Sequence, residues 1–500
     1  MGGIRHCYVI GIWNFGKEII LRELTDRALN LAEVQGASYA DIRIVRRESQ
    51  GITVKNGVVE ALSSSENQGF GVRVVVDGAW GFASSAYLEA AEVDQVTALA
   101  VQIAKASALV KIQDVSLGPP VVHVATYCTL VEMDPFEVSL ERKIELLLSA
   151  DEAMRRAKGV KVAKGNMAFI REHKTFASSE GSFIEQEIIE SGAGLEATAV
   201  SEDDVQKRSY PNSFGRHQGT GGYEFIEAMD LAGNAGRMGE EAVALLTAPQ
   251  CPSGTMTIIL GSTQLALQVH ESCGHPIELD RVFGSEASYA GTSFLTTEKL
   301  GHFRYGSEIV NVTADATVPG GLGTFGYDDE GVPAQRTPIV RDGIFVGYLT
   351  SRETAAMLDQ QSNGAMRADG WNRIPLIRMT NVNLEPGEWD FDDLIADTED
   401  GIYMEMNKSW SIDDKRLNFQ FGTEIAYQIK KGKLGQMYKN ATYTGITPQF
   451  WAGCDAICNE KYWNVWGTPN CGKGQPSQIA RVGHGTAPAR FRNVRVGVMK

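Results

Sequence analysis

Along the first half of the chain, apolar positions recur at helical spacing in four stretches. Residues 18–36 place Ile19, Leu21, Leu24, Ala28, Leu31 and Ala32 mostly three and four apart, the interval that gathers side chains on one helix face. The same period marks residues 87–110, 138–157 and 225–246. Between these stretches the period drops to two, as in a half-buried strand. Residues 40–46 alternate, and strand-like pieces flank Asn56-Gly57 and Asp77-Gly78, dipeptides suited to the left-handed residues of a tight hairpin. Residues 159–199 alternate in short pieces, including 169–171 and 182–188. Residues 209–222 are rich in Gly, Ser, Asn and Pro and read as an exposed loop. Helices and strands in this order predict an α+β layer arrangement.

Thr247-Ala248-Pro249-Gln250-Cys251-Pro252 breaks the pattern and is the best domain boundary; Gly118-Pro119-Pro120 reads as a shorter linker. Beyond residue 253 strands dominate. Thr257-Ile258-Ile259-Leu260 is a short apolar run of the kind buried in a sheet, and residues 308–318 alternate. Hairpins are expected around Asp342-Gly343 and Lys431-Gly432, with short helices at 352–358 and 392–397 and a loop at 364–378. The predicted fold is therefore α+β in two domains. An N-terminal domain of helices and antiparallel strands spans 18–247, and a largely antiparallel β domain spans 253–500 and carries one chemically distinctive helix. Residues 1–17 read as an N-terminal extension. Their apolar run Cys7 to Trp13 is short, interrupted by Gly11, and followed by no small-x-small cleavage site. No apolar run is long enough to span a bilayer, so no membrane partner is expected.

Composition narrows the class. An apolar fraction of 43% and a charged fraction of 22% are those of an ordinary globular protein. A net charge of −15 argues against non-specific nucleic-acid binding, which needs a basic surface. Seven scattered cysteines form no dense framework, which favours a reducing, cytoplasmic setting.

The distinctive helix ends in His270-Glu271-Ser272-Cys273-Gly274-His275-Pro276. Gly261-Ser262-Thr263 offers a turn and an N-cap, and Leu265, Leu267 and Val269 follow, so His270 and Glu271 fall late in the helix. The two histidines are five apart, about 140° around an ideal helix rather than the roughly 40° of the four-spaced zinc-protease pattern. A straight helix cannot aim both rings at one ion. Gly274 tolerates non-helical angles and Pro276 disfavours the α region for His275. The helix is thus expected to end or kink at Cys273 or Gly274, swinging His275 back. Neutral imidazoles suit a divalent metal. Glu271, aimed elsewhere, is the candidate general base on a metal-activated water. A catalytic zinc needs a third protein ligand. His302, Cys454, Cys458, Cys471, His484, Glu278 and Asp280 are all candidates, a thiolate with two imidazoles being a good borderline-soft set. Glu278 and Asp280 also qualify as acceptors for the outer N–H of a ligating ring. Cys273 reads as core.

The stretch from Leu267 to Asp280 resembles the signature helix of the TldD/PmbA family of metalloproteases, in its metal-bearing TldD branch. Further resemblances follow in order: Asp328-Asp329-Glu330-Gly331-Val332-Pro333, Arg378-Met379-Thr380-Asn381, Cys471-Gly472-Lys473-Gly474-Gln475 and Val482-Gly483-His484-Gly485-Thr486-Ala487-Pro488, with a match in the N-terminal half from Asp41 to Phe82. The resemblance implies Cys471 as the third ligand beside His270 and His275, and a peptidase that hydrolyses unstructured or leader peptides with zinc, or iron(II), and Glu271. It also implies a dimer, either a homodimer or a heterodimer with a metal-free paralogue. Two other classes stay open: a non-catalytic, gyrase-modulator-like interaction protein, and a metal-dependent amidase acting on a small molecule. Residues 440–470, rich in aromatic side chains and cysteine, depart from the family pattern and are expected to shape the cleft mouth or a partner surface.

Overall fold

A computed structural model describes residues 15–497. Most of the extension expected at residues 1–17 lies outside the described residues. The N-terminal half is built on one eight-stranded sheet. Its path runs Ala79–Ser85, Val58–Val76, Tyr39–Lys55, Val160–Ser178, Phe183–Val200, Val124–Cys128, and both Val205–Tyr210 and His217–Thr220 also pair with Phe183–Val200. All pairings are antiparallel except that of Val124–Cys128. The turns Asn56-Gly57 and Asp77-Gly78 both adopt positive φ, as the hairpin reading required.

Two apolar cores cover this sheet. Helices Phe15–Val34 and Ala90–Ala108 contribute Leu24, Ala28, Val96 and Ala100 to a cluster with Ile42, Val72 and Val74. Helices Leu140–Arg155 and Leu231–Thr247 contribute Leu147, Met154 and Met238 to a second cluster with Phe169 and Leu195. The helix expected at 225–246 is broken. A short turn, Glu224–Glu227, precedes Asp230, whose left-handed backbone and side-chain bond to the Gly233 N–H start a new helix. The pieces expected within 159–199 are two strands of 19 and 18 residues. The exposed loop expected at 209–222 is instead largely buried: Asn212 and Ser213 are covered, and His217–Thr220 is a strand. Its Gly and Ser content serves close packing rather than solvation. A Cβ on Gly219 would lie 2.5 Å from the Gly320 carbonyl.

The C-terminal half centres on a seven-stranded sheet. Strand Gly254–Leu260 lies between Asp400–Ile412, its single parallel partner, and Ala489–Val496. The order continues through Thr442–Ile446, Asn418–Lys430 and Lys433–Tyr438. Asp400–Ile412 also pairs with Asn418–Lys430, so five strands close on themselves. Ile258, Leu260, Phe421, Tyr443 and Phe491 fill the core. Helix Ser262–Val269 leaves the end of the central strand and buries Leu265 and Val269 in that core. A separate hairpin, Asn464–Lys473 with Gln478–Thr486, folds against it. No helix among the described residues is long and apolar enough to cross a membrane.

Candidate metal centre

The distinctive helix runs on through Cys273 and changes type after Gly274, one of the two positions expected for a break. From His270 to Gly274 it widens into a π turn, and the N–H of His275 bonds the carbonyl of His270. Closing on the fifth residue rather than the fourth turns a five-residue spacing into near-alignment. His275 keeps helical angles, φ −63° and ψ −40°, so Pro276 does not push it from the α region as expected. Pro276 falls early in a following 3₁₀ turn, His275–Ile277, where a missing N–H costs little. Gly274 is also helical, at φ −69°. Its role is spatial: a Cβ there would lie 2.2 Å from Met379 Sδ. The widened turn is held by side chains. Ser272 Oγ donates to the Gln268 carbonyl (2.5 Å) and accepts from Trp451 Nε1 (3.0 Å), and Tyr305 Oη donates to the Ser272 carbonyl (2.7 Å).

His270, His275 and Cys471 meet here, with one ligand atom from each lying within 4.8 Å of the others. All are almost fully buried. Cys471 reaches the helix from the hairpin strand Asn464–Lys473, and its Sγ lies 3.7 Å from His275 Nε2. Arg378 donates to the main-chain carbonyl of Cys471 and to that of Gln478, pinning the hairpin in place.

Each ring has one nitrogen committed elsewhere. His275 Nδ1 lies 3.0 Å from Glu278 Oε2, a carboxylate that can only accept, so Nδ1 carries the proton. Lys473 Nζ, 3.4 Å from that same oxygen, holds Glu278 in place. His270 Nδ1 lies 2.7 Å from His484 Nε2, and His484 Nδ1 lies 3.1 Å from the Val382 carbonyl. The carbonyl makes Nδ1 the donor of His484, its Nε2 the acceptor, and His270 Nδ1 the donor to it. As neutral rings, His270 and His275 both present an unprotonated Nε2; burial lowers the His270 pKa, but Cys471 beside it outweighs burial and raises it. Burial holds His275 and His484 well below the usual histidine range. Burial pushes the Cys471 thiol up, but His275, His270 and Arg378 outweigh it and bring the group well below its usual range, as a thiolate. Two imidazole lone pairs and a thiolate, dry and convergent, fit a zinc-type ion with one position left open.

Glu271 leaves the same turn in another direction. Its Oε2 accepts from Arg416 Nη1 in a nearly buried pair. Both residues line a cleft of about 270 Å³ together with His270, His275 and Cys471. Asn212, Ser213, Phe214 and Arg216 of the N-terminal half, Trp410 and residues 467–472 also line it.

Of the other candidates, Glu278 sits behind His275, and Asp280 reaches Lys473 (2.7 Å) rather than a ring. Cys454 and Cys458 are buried, their thiols pushed up by burial, to about 12 for Cys458. They join no ligand cluster among the described residues, and neither does the exposed His302. Cys273 is core, bonded to Tyr305 Oη at 2.8 Å. The aromatic segment 440–470 divides between core and cleft: Trp451 is fully buried and edge-on to Phe491, while residues 467–470 line the cleft. Sequence reasoning missed Arg416 and Arg378 as parts of the site, and considered His484 as a ligand rather than as the partner of His270. The surviving signals were that His484 and Arg378 each lie in a stretch already singled out.

Known proteins agree with this architecture. Models of the PmbA/TldA metallopeptidase domain 1, central domain and C-terminal domain match residues 40–104, 134–248 and 253–498. Metalloprotease MJ0996 of Methanocaldococcus jannaschii is 32% identical over 462 residues, covering 91% of this chain and 97% of that protein. A metalloprotease TldD homolog of Haemophilus influenzae is 28% identical, covering 95% and 96%. A zinc metalloprotease TldD homolog of Saccharolobus solfataricus is 26% identical over 39% of this chain and 42% of that one. The solved structure of TldE from Thermococcus kodakarensis shares the fold, with a TM-score of 0.72 at 18% identity over 96% of this chain and all of that one. Domain matches across both halves and full-length relatives converge on one conclusion: the chain belongs to the TldD/PmbA family of metallopeptidases.

Proposed function

We propose that this chain is a zinc-dependent peptidase acting on unstructured peptides, with His270, His275 and Cys471 as metal ligands and Glu271 as general base. The observation that carries the reading is the convergence of two imidazoles and a thiolate at the wall of a cleft that also holds the Glu271 carboxylate, which ligates nothing and is paired with Arg416. When bound, the metal supplies Lewis acidity toward a carbonyl and acidifies a coordinated water. The chain does the rest. Glu278 and His484 fix the ring tautomers. Arg416 holds Oε2 of Glu271, which leaves Oε1 to take a proton from water and pass it to the leaving amine. An extended peptide fits better than a folded one, because a cleft of about 270 Å³ cannot admit a folded chain. We extend the proposal to a dimer, with a second copy or with a relative lacking the ligand pair. The likeness to TldE supports the second form.

The test is metal content and hydrolysis of an unstructured peptide, measured together in the unsubstituted chain and three variants. About one metal per chain is expected, lost along with activity in Cys471→Ser and His275→Ala. Glu271→Gln should keep the metal and lose about 10²- to 10⁴-fold in turnover. Metal retained at full stoichiometry in Cys471→Ser would remove that residue from the site.

A further inference from the structure

Two arginines line the cleft, and only one has a carboxylate partner. Arg416 pairs with Glu271. Arg216, which lines the same cleft, pairs with no carboxylate among the described residues. It spends one of its five N–H donors on Asn470 Oδ1 (2.9 Å). Burial lowers its pKa, and no charged neighbour counters the effect. Other covered arginines in the molecule behave differently. Arg352 pairs with Glu180 and Arg481 with Glu190, while Arg367 and Arg378, without carboxylates, donate to main-chain carbonyls. In a chain of net charge −15, a cation left without a counter-charge in a cleft is a feature with a cost.

The backbone around it is also held under strain. Phe214 sits at φ +62° and ψ 24°, a left-handed conformation unusual for a bulky residue. Asn212 Oδ1 accepts from the Ser213 N–H (2.7 Å) and Ser213 Oγ accepts from the Asn407 N–H (2.8 Å), which keeps the turn in place. The conformation sets the Phe214 ring edge-on to Trp410 at 5.7 Å and brings the Arg216 guanidinium over Phe214 at 5.7 Å. Trp410 remains half exposed. Asn470, which accepts from Arg216, immediately precedes Cys471 in the chain. An apolar surface and an unanswered cation thus line the same cleft as the candidate metal centre, and strain of this kind persists where it positions a functional group.

We propose that Arg216, backed by Phe214 and Trp410, is a carboxylate-binding subsite, so that favoured substrates present an anionic group beside the bond to be cut. This rests on the cleft being a peptide site, as proposed above. Two sources supply that chemistry: the free C-terminus of the peptide, or an Asp or Glu side chain.

The experiment is equilibrium binding to the metal-loaded, full-length Glu271→Gln chain, read by tryptophan fluorescence and calorimetry. One short unstructured peptide is prepared with a C-terminal carboxylate or amide, and with an internal Glu or Gln. The anionic form that fits the subsite should bind about 10- to 100-fold more tightly than its neutral counterpart. Whether the amide or the Gln peptide loses affinity identifies the source. Adding Arg216→Gln should abolish the preference, and Arg216→Lys, which keeps the charge but not the planar fork, should retain part of it. Thermal melts confirm that each variant folds. Equal binding of charged and neutral peptides, or a preference that survives Arg216→Gln, overturns the subsite. Hydrolysis by the unsubstituted chain is scored separately, so peptidase activity without a carboxylate preference would sink this inference alone.

Discussion

His270 owes its orientation to a residue 214 positions away. Nothing in the local pattern around His484 separates it from an ordinary polar histidine, yet its ring decides which nitrogen of His270 carries the proton. Removing it should leave the ligand present but poorly aimed. His484→Ala is expected to weaken metal binding by about 10- to 100-fold, as the loss of such outer partners does. Competition with a chromophoric chelator measures this, and activity should recover at high metal concentration. Cys273, within the same π turn, should behave oppositely. Cys273→Ala is expected to leave metal content unchanged, because its sulfur faces Tyr305. At this scale the sequence showed which residue types were available and the family pattern selected Cys471, but the pairing of rings was invisible. It arises from a side-chain contact between a helix and a distant hairpin.

The five-residue spacing posed a geometric problem whose existence, but not whose solution, was legible in the element itself. A break at Gly274 was the local answer. The protein instead widens the helix by one residue, using Ser272, Trp451 and Tyr305 to satisfy the altered backbone. Gly274 is therefore a packing glycine. Gly274→Ala should drive a methyl into Met379 and cost about 1–3 kcal/mol, read as a shifted urea midpoint at constant m-value. Met379→Ala in the same chain should recover part of that loss, whereas a purely conformational role for the glycine would give no recovery.

Across the whole molecule, the N-terminal sheet and the C-terminal half are joined by buried ion pairs. Asp329 accepts from Arg43 Nη1 (3.0 Å) and Lys174 Nζ (2.7 Å), both on the sheet, and from the Ala368 N–H (2.7 Å). Asp329→Ala would leave buried Arg43 without a carboxylate and Lys174 with Glu172 alone, at 3.6 Å, and is expected to cost about 3–5 kcal/mol of stability, seen in denaturant melts. Acid should destabilise the same assembly in two stages. Burial holds His217 and His173 at about 4, whereas an unfolded histidine takes up its proton near pH 6.5. Between those values the unfolded chain binds more protons, so stability falls as the pH drops from about 6.5 to about 4. His217 adds a specific loss, since its Nδ1 accepts the Gly467 N–H beside the cleft (3.3 Å). Burial pushes the Asp329 carboxyl up, but Lys174 and Arg43 outweigh it and hold it below the ordinary range, so its stabilisation is lost only at lower pH still. Urea midpoints taken from neutral pH down to about 4 should show the first stage, and His217→Gln should blunt it.

The sequence by itself determined the α+β class, the helices of the N-terminal half, the tight hairpins at Asn56-Gly57, Asp77-Gly78, Asp342-Gly343 and Lys431-Gly432, and the residue types able to hold a metal. These follow from periodicity and from backbone angles that only a few residues tolerate, both local properties. Tertiary structure alone decided the π turn, the closure of five strands on themselves, the burial of residues 209–222 and the bonds from His484, Arg416 and Arg378 into the site. Each depends on which surfaces meet across hundreds of residues, and a side chain's partner is set by that meeting rather than by its neighbours in the chain.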